Sequence, residues 1–151
     1  MAYKFPLGYQ VNRNAAALAI TATPGLPYFT VAGGLVLITG LLGVCTVACG
    51  GANTLSFELN PTDAAGANTA LSLAVDLGTA MVAQDVCTLV GAPGTALLGG
   101  HVELNVMGLT QGQGLVVNSG VIGLVATAAV GTYRWILWYI PIDTGATVVV
   151  A

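Results

Sequence analysis

Charge is what this chain lacks most. Lys and Arg together number 3 and Asp and Glu 6 in 151 residues, so ionic side chains are 6% of the total, where a soluble domain carries about 25%. So few cations cannot line a phosphate backbone, which argues against nucleic-acid binding. The charged flanking positions of a coiled coil are missing as well. Hydrophobic residues at 56% and a mean hydropathy of +0.86 exclude intrinsic disorder. Histidine occurs once, as His101, and cysteine three times, as Cys45, Cys49 and Cys87. Cys45 and Cys49 have no histidine beside them, so no metal-ligand set is expected. The thiols read as free, buried small hydrophobes of a reducing cytoplasm. No stretch pairs a 3.6-residue period with helix formers and caps; only Asn12–Ile20 leaves room for a turn or two of helix. No segment reads as a targeting signal, since Ala15–Ile20 is too short for a signal core and Pro24 follows it.

What is present is β texture. Short runs rich in Val, Ile, Leu and Thr are separated by Gly, Asn and Pro: YFTV, LVLIT, VCTVA, TLSFEL, TALSLAVDL, VCTLV, ELNVM, GLVV, VIGLVATAAV, TYRWILWYI and TVVVA. The clearest alternation sets Leu71, Leu73, Val75 and Leu77 against Ser72, Ala74, Asp76 and Gly78. Leu55, Phe57 and Leu59 alternate in the same way with Ser56, Glu58 and Asn60. Tyr133–Ile140 is apolar on both faces, with Tyr133, Trp135, Leu137 and Tyr139 on one side and Arg134, Ile136, Trp138 and Ile140 on the other. The spacing predicts a single all-β domain over residues 28–151, a β-sandwich or jelly roll, behind an extended N-terminal arm over residues 1–27. Pro141-Ile142-Asp143-Thr144-Gly145 reads as the turn of a final hairpin running back to Val148–Val150.

This composition raises a solubility problem. A compact monomer of this mass exposes about 7,000 Å², which leaves each charged group roughly 800 Å². Monomers rarely expose apolar patches beyond a few hundred Å². Either lipid or other protein must cover the surface. Val31–Cys49 has the length of a membrane helix, but Gly33, Gly34, Gly40 and Gly43 lie within it and no Lys/Arg cluster flanks it. Burial by protein is therefore expected, and an integral membrane protein is the lesser alternative.

Catalytic chemistry is sparse. His101 and Glu103 share a strand face about 7 Å apart, and Cys87 with His101 is the one thiol–imidazole option, yet no nucleophile is marked by its neighbours. Asp76, Asp85 and Glu58 read as solvated or interface-paired groups on polar strand faces. Gly33-Gly34 reads as a turn or bulge. No catalytic residue, cofactor or metal is expected. The candidate contact residues are Arg134, Trp135, Trp138 and Tyr139, together with Lys4 and Arg13 of the arm, since Trp and Arg are enriched in interface hot spots. Arg134 is placed to stack on Trp138 or to pair with Asp143, and the two tryptophans point to opposite faces by parity.

The C-terminal string Thr132–Ala151, with its tryptophan strand, Tyr139-Ile140-Pro141, Asp143-Thr144-Gly145-Ala146 turn and valine-rich end, resembles that of small tailed-bacteriophage virion proteins. Phe29–Gly34 leading into Val36–Gly40 resembles their opening strand pair, and Asn60-Pro61-Thr62 followed by Leu71–Leu77 their middle. The resemblance implies a non-enzymatic capsid decoration (cement) protein on the virion surface, made in the host cytoplasm. Its implied partners are the major capsid protein and further copies of itself, with a homotrimer expected and the arm as a clamp on a neighbour. A tail or fibre component is the alternative.

Overall fold

The computed structural model of the chain describes residues 8–19, 24–62, 66–89, 95–97 and 114–151. Every regular element among them is a strand: β1 (Tyr9–Ala17), β2 (Leu26–Ala32), β3 (Val36–Val47), β4 (Thr54–Pro61), β5 (Thr69–Ala70), β6 (Val75–Asp76), β7 (Val86–Thr88), β8 (Leu115–Val117), β9 (Gly120–Ala126), β10 (Thr132–Pro141) and β11 (Thr147–Val150).

The pairing follows one rule. β1 pairs with β10, β2 with β9, β3 with β8 and β4 with β5, all antiparallel. The chain is thus one long hairpin, folded back between β4 and β5. Successive rungs of that hairpin fall alternately into two sheets. The first has the order β1-β10-β3, with β7 and β8 lying end to end along the far side of β3; the second has the order β11-β2-β9-β4-β5, with β6 also on β4. A hairpin rolled up in this way is the jelly-roll arrangement.

The period-2 pattern explains which faces meet. Tyr133, Trp135, Leu137 and Tyr139 of β10 are buried, as are Ile38, Leu41 and Cys45 of β3, Phe29 and Val31 of β2, Leu55 and Phe57 of β4, and Ile122 and Leu124 of β9. The rings interlock edge to face across the sheets. Phe57 meets Trp135 at 4.7 Å between centroids and 80°, and Tyr28 meets Phe57 at 6.2 Å and 86°. Trp135 leaves space for nothing larger than glycine at Gly43, where a Cβ would come 2.4 Å from its ring. The chain changes sheets between β2 and β3 at Gly33-Gly34, both with positive φ (79° and 121°), a conformation that favours glycine. Gly34 N donates to Ser119 Oγ and Leu35 N to Asp143 Oδ2, tying this corner to the β8–β9 and β10–β11 connections.

Several sequence expectations change here. Leu71–Leu77 alternates cleanly but is no continuous strand. Leu71 N and Ser72 N both donate to Phe57 O, Ser72 Oγ accepts from Phe57 N, and Leu73 swings out, half exposed, to bridge Ala96. β10 and β11 form no hairpin, because β11 crosses to pair with β2 in the other sheet. The Phe29–Gly34 and Val36–Gly40 runs likewise lie in different sheets. Asn12–Ala17 is strand, not helix. The described part of the arm is extended, but it is seated on its own chain as β1 along β10. Lys4, Asp63, His101, Glu103 and the ELNVM run lie outside the described residues.

At the end of the barrel opposite the Gly33-Gly34 corner, Asn53 joins three loops. Its fully buried side chain donates to Ala128 O (2.9 Å) and Val130 O (3.1 Å) and accepts from Ala128 N (3.0 Å), while its backbone N–H donates to Asp76 Oδ1 (2.9 Å). Asn53→Ala strands those three groups. We expect a loss of about 2–3 kcal/mol in urea unfolding, because part of the exposed 128–130 loop rehydrates.

Candidate interaction surface

Of the charged residues, Arg13, Glu58, Asp76, Asp85, Arg134 and Asp143 are described, and half of them are not free at the surface. Glu58 and Asp85 are buried, at 7% and 3% exposure. This corrects the expectation of solvated or interface-paired groups for Glu58 and Asp85, while Asp76 is exposed. Glu58 Oε1 accepts from Gly25 N and Asn68 Nδ2, and Asp85 Oδ2 accepts from Val82 N to close a turn. Arg13 turns inward: its guanidinium sits 4.0 Å from the centroid of the Tyr28 ring, and Nη1 donates to Ala151 O (3.2 Å) and Tyr28 O (3.5 Å). It bridges the edge strands of the two sheets and is unavailable as an outward contact. That leaves Asp76, Arg134 and Asp143 as the exposed charges among the described residues, on a chain with 7468 Å² of surface. Asp76 is held below the usual carboxylate range by hydrogen bonds from Asn53 N and the Thr79 hydroxyl.

The two outer faces differ in chemistry. On the second sheet, one row across the strands reads Val149, Thr30, Val121, Asn60, and another pairs Val125 with Ser56. Hydroxyls and an amide interrupt the apolar side chains. On the first sheet the rows read Ile140, Leu37, Val116; then Gln10, Trp138, Gly40; then Asn12, Ile136, Leu42; then Arg134, Val44. Leu37, Leu42, Val44, Ile136, Trp138 and Ile140 are all partly exposed, and Val116 is 59% exposed. Among the described residues this face carries aliphatics, one tryptophan and one arginine, with no acid. Among the same residues its polar borders are β1, through Gln10 and Asn12, and β7, where the buried Thr88 pairs with Leu42. Trp138 lies near its middle. A Cβ on Gly40 would be 3.5 Å from Trp138 Cε3, so the indole rests beside a strand that offers no side chain there. This composition, depleted in charge with Trp and Arg retained, is that of an interface core.

The six predicted contact residues therefore separate. Trp138 and Arg134 share the outer face. Trp135 and Tyr139 are spent in the chain's own core, at 0% and 7% exposure. Their strand parity was visible in the sequence, but which parity faced inward was not. Arg134 is exposed and has neither Trp138 nor Asp143 as a partner. Without a β10–β11 hairpin, Asp143 instead serves Leu35 N at the corner. Asn53, Glu58 and Asp143 were missed as organising polar residues; a lone Asn, Glu or Asp between strands carries no spacing signal.

The thiols are packed as apolar groups. Burial pushes Cys87 up to about 12 and also raises Cys45, so neither is a thiolate nucleophile near neutral pH. Burial, aided by the surrounding cysteines, raises Tyr133 as well. Among the described residues no three His, Cys, Asp or Glu side chains gather to hold a metal ion, and no helix is long and apolar enough to cross a membrane. No family model, curated protein or solved structure matches this chain.

Proposed function

We propose that this chain is a non-enzymatic structural protein of a tailed-phage virion, a decoration (cement) protein bound to the major capsid protein on the head surface. The observation that carries the reading is the outer face of the first sheet, where Leu37, Leu42, Val44, Val116, Ile136, Trp138 and Ile140 form one apolar field around a single cation. A field of that kind marks a surface that is covered in an assembly, by the capsid protein or by a further copy of this chain. The jelly roll adds support by analogy alone, since viral shell domains use it, as do lectins and other unrelated proteins. The mechanism is mechanical. Burial contributes about 25 cal/mol per Å² less the cost of association, and repeated attachment over a lattice multiplies weak single contacts. Immunogold labelling of particles from the phage that encodes the chain tests the assignment. Gold spread over the head supports it, whereas gold confined to the tail, or absent from intact particles, overturns it.

A further inference from the structure

We infer that the outer face of the first sheet binds a second copy of this chain about a two-fold axis that crosses β10 at Trp138. This rests on the reading that protein covers that face, but not on where the assembly resides.

Three observations select this occupant. The first is charge. Arg134 and Asp143 are both exposed and lie towards opposite ends of β10, with Trp138 between them. Among the described residues no acid stands on the face to meet Arg134, and Asp143 spends Oδ2 on Leu35 N. When two copies pack face to face with an in-plane two-fold perpendicular to the strands, residues equidistant from the axis come opposite each other. An axis at Trp138 sets Arg134 of each copy against the Ile142-Asp143 corner of the other. Two reciprocal ion pairs form from groups that have no ion-pair partner among the described residues of the single chain. A heterologous contact uses two different patches and would leave this complementarity within one patch unused.

The second is apolar register. The same axis sets Trp138 against Trp138 and Ile136 against Ile140 of the other copy. The apolar residues of the strand then meet apolar residues, and the one cation meets the one nearby anion.

The third is area. β3 has 12 residues, about 40 Å at the usual rise, and four ranks of strands span about 19 Å. The other ranks are shorter, with 9 residues in β1, 10 in β10 and 3 each in β7 and β8, so the face is roughly 600 Å² per copy, at the lower end of the range for a standard stable interface. Sheets packed in this way align their strands within about 30°. The homotrimer expected from the sequence has no comparable pairing of residues behind it.

Sedimentation equilibrium of the purified chain over a wide concentration range tests the inference. A dimer whose dissociation constant rises with salt is expected. Arg134→Asp places two carboxylates together at each end, and the dissociation constant should rise at least about 10-fold. Adding Asp143→Asn, which keeps an acceptor for Leu35 N, should recover much of that loss. Circular dichroism of each variant separates failure to associate from failure to fold. If Arg134→Asp does not fold, Ile136→Glu offers the same test through the apolar register. A monomer at all concentrations, a trimer, or a dimer indifferent to Arg134→Asp and Ile136→Glu overturns the inference. None of these outcomes depends on the gold labelling, so a dimer absent from virions would remove the virion reading and leave the interface standing.

Discussion

Trp135→Ala is expected to cost about 3–5 kcal/mol in chemical unfolding, while Trp138→Ala costs under about 1 kcal/mol of the same quantity. The two tryptophans sit three positions apart on one strand and differ only in the face they occupy. Trp135 is fully buried, edge to face with Phe57 at 4.7 Å and stacked at 5.9 Å on Tyr133, and it fills the space above Gly43. Removing it opens a cavity that two hydrogen-bonded sheets cannot close. Trp138 is partly exposed on the outer face, and losing it should show in self-association before it shows in folding. Trp135→Phe should recover much of the loss, because Trp135 Nε1 makes no hydrogen bond in the core and only its ring volume is at stake. Equal costs for the two alanine variants would overturn the assignment of faces.

Alkali should unfold this protein steeply, and Cys87 should be a large part of the reason. An unfolded thiol ionises at about 8.5; burial holds the folded one at about 12. Between those values the native state binds more protons than the unfolded state, so stability is complete below about pH 8.5 and falls as pH rises. At about 1.4 kcal/mol per pH unit, Cys87 alone accounts for roughly 4 kcal/mol by pH 12. Tyr28, Tyr133 and Cys45 are raised by burial too and act in the same direction. Urea midpoints measured from pH 7 to 11 check this. Wild type should lose stability throughout the upper half of the range, and Cys87→Ala should follow a visibly shallower curve. Parallel curves would mean that Cys87 titrates normally in the fold.

Fold class was legible because two signals agreed. Runs of Val, Ile and Thr alternated at period 2, and Gly, Pro and Asn broke them at short intervals. Gly33-Gly34 was readable as a turn, and the structure bends there with positive φ at both residues. The exceptions are instructive. Leu71–Leu77 had the best alternation in the chain, yet β4 offers it only brief pairing, because Ser72 Oγ and two amides converge on Phe57 and turn the backbone away. Alternation reports which side chains want burial, and a loop that drops Leu71 and Leu77 into the core satisfies it as well as a strand does. Pro141–Gly145 looked like a hairpin because local turn chemistry is the same whether the next strand returns to its neighbour or crosses to the opposite sheet.

The order of its apolar and turn residues determined that this chain is β-rich, and its composition determined that it is too poor in ionic groups to present an ordinary wetted surface. The second is a sum over residues, and no arrangement of the backbone changes a sum. Only the tertiary structure decided that Arg13, Glu58 and Asp85 are withdrawn from the free surface, that Trp135 is core while Trp138 is surface, and that Trp138 shares one outer face with Leu37, Leu42, Val44, Val116, Ile136 and Ile140. Those outcomes depend on which strands become neighbours. In a hairpin rolled into two sheets, the neighbours are set by pairings such as β1 with β10 and β2 with β9, between segments more than 85 residues apart, and no local pattern encodes a partner at that distance.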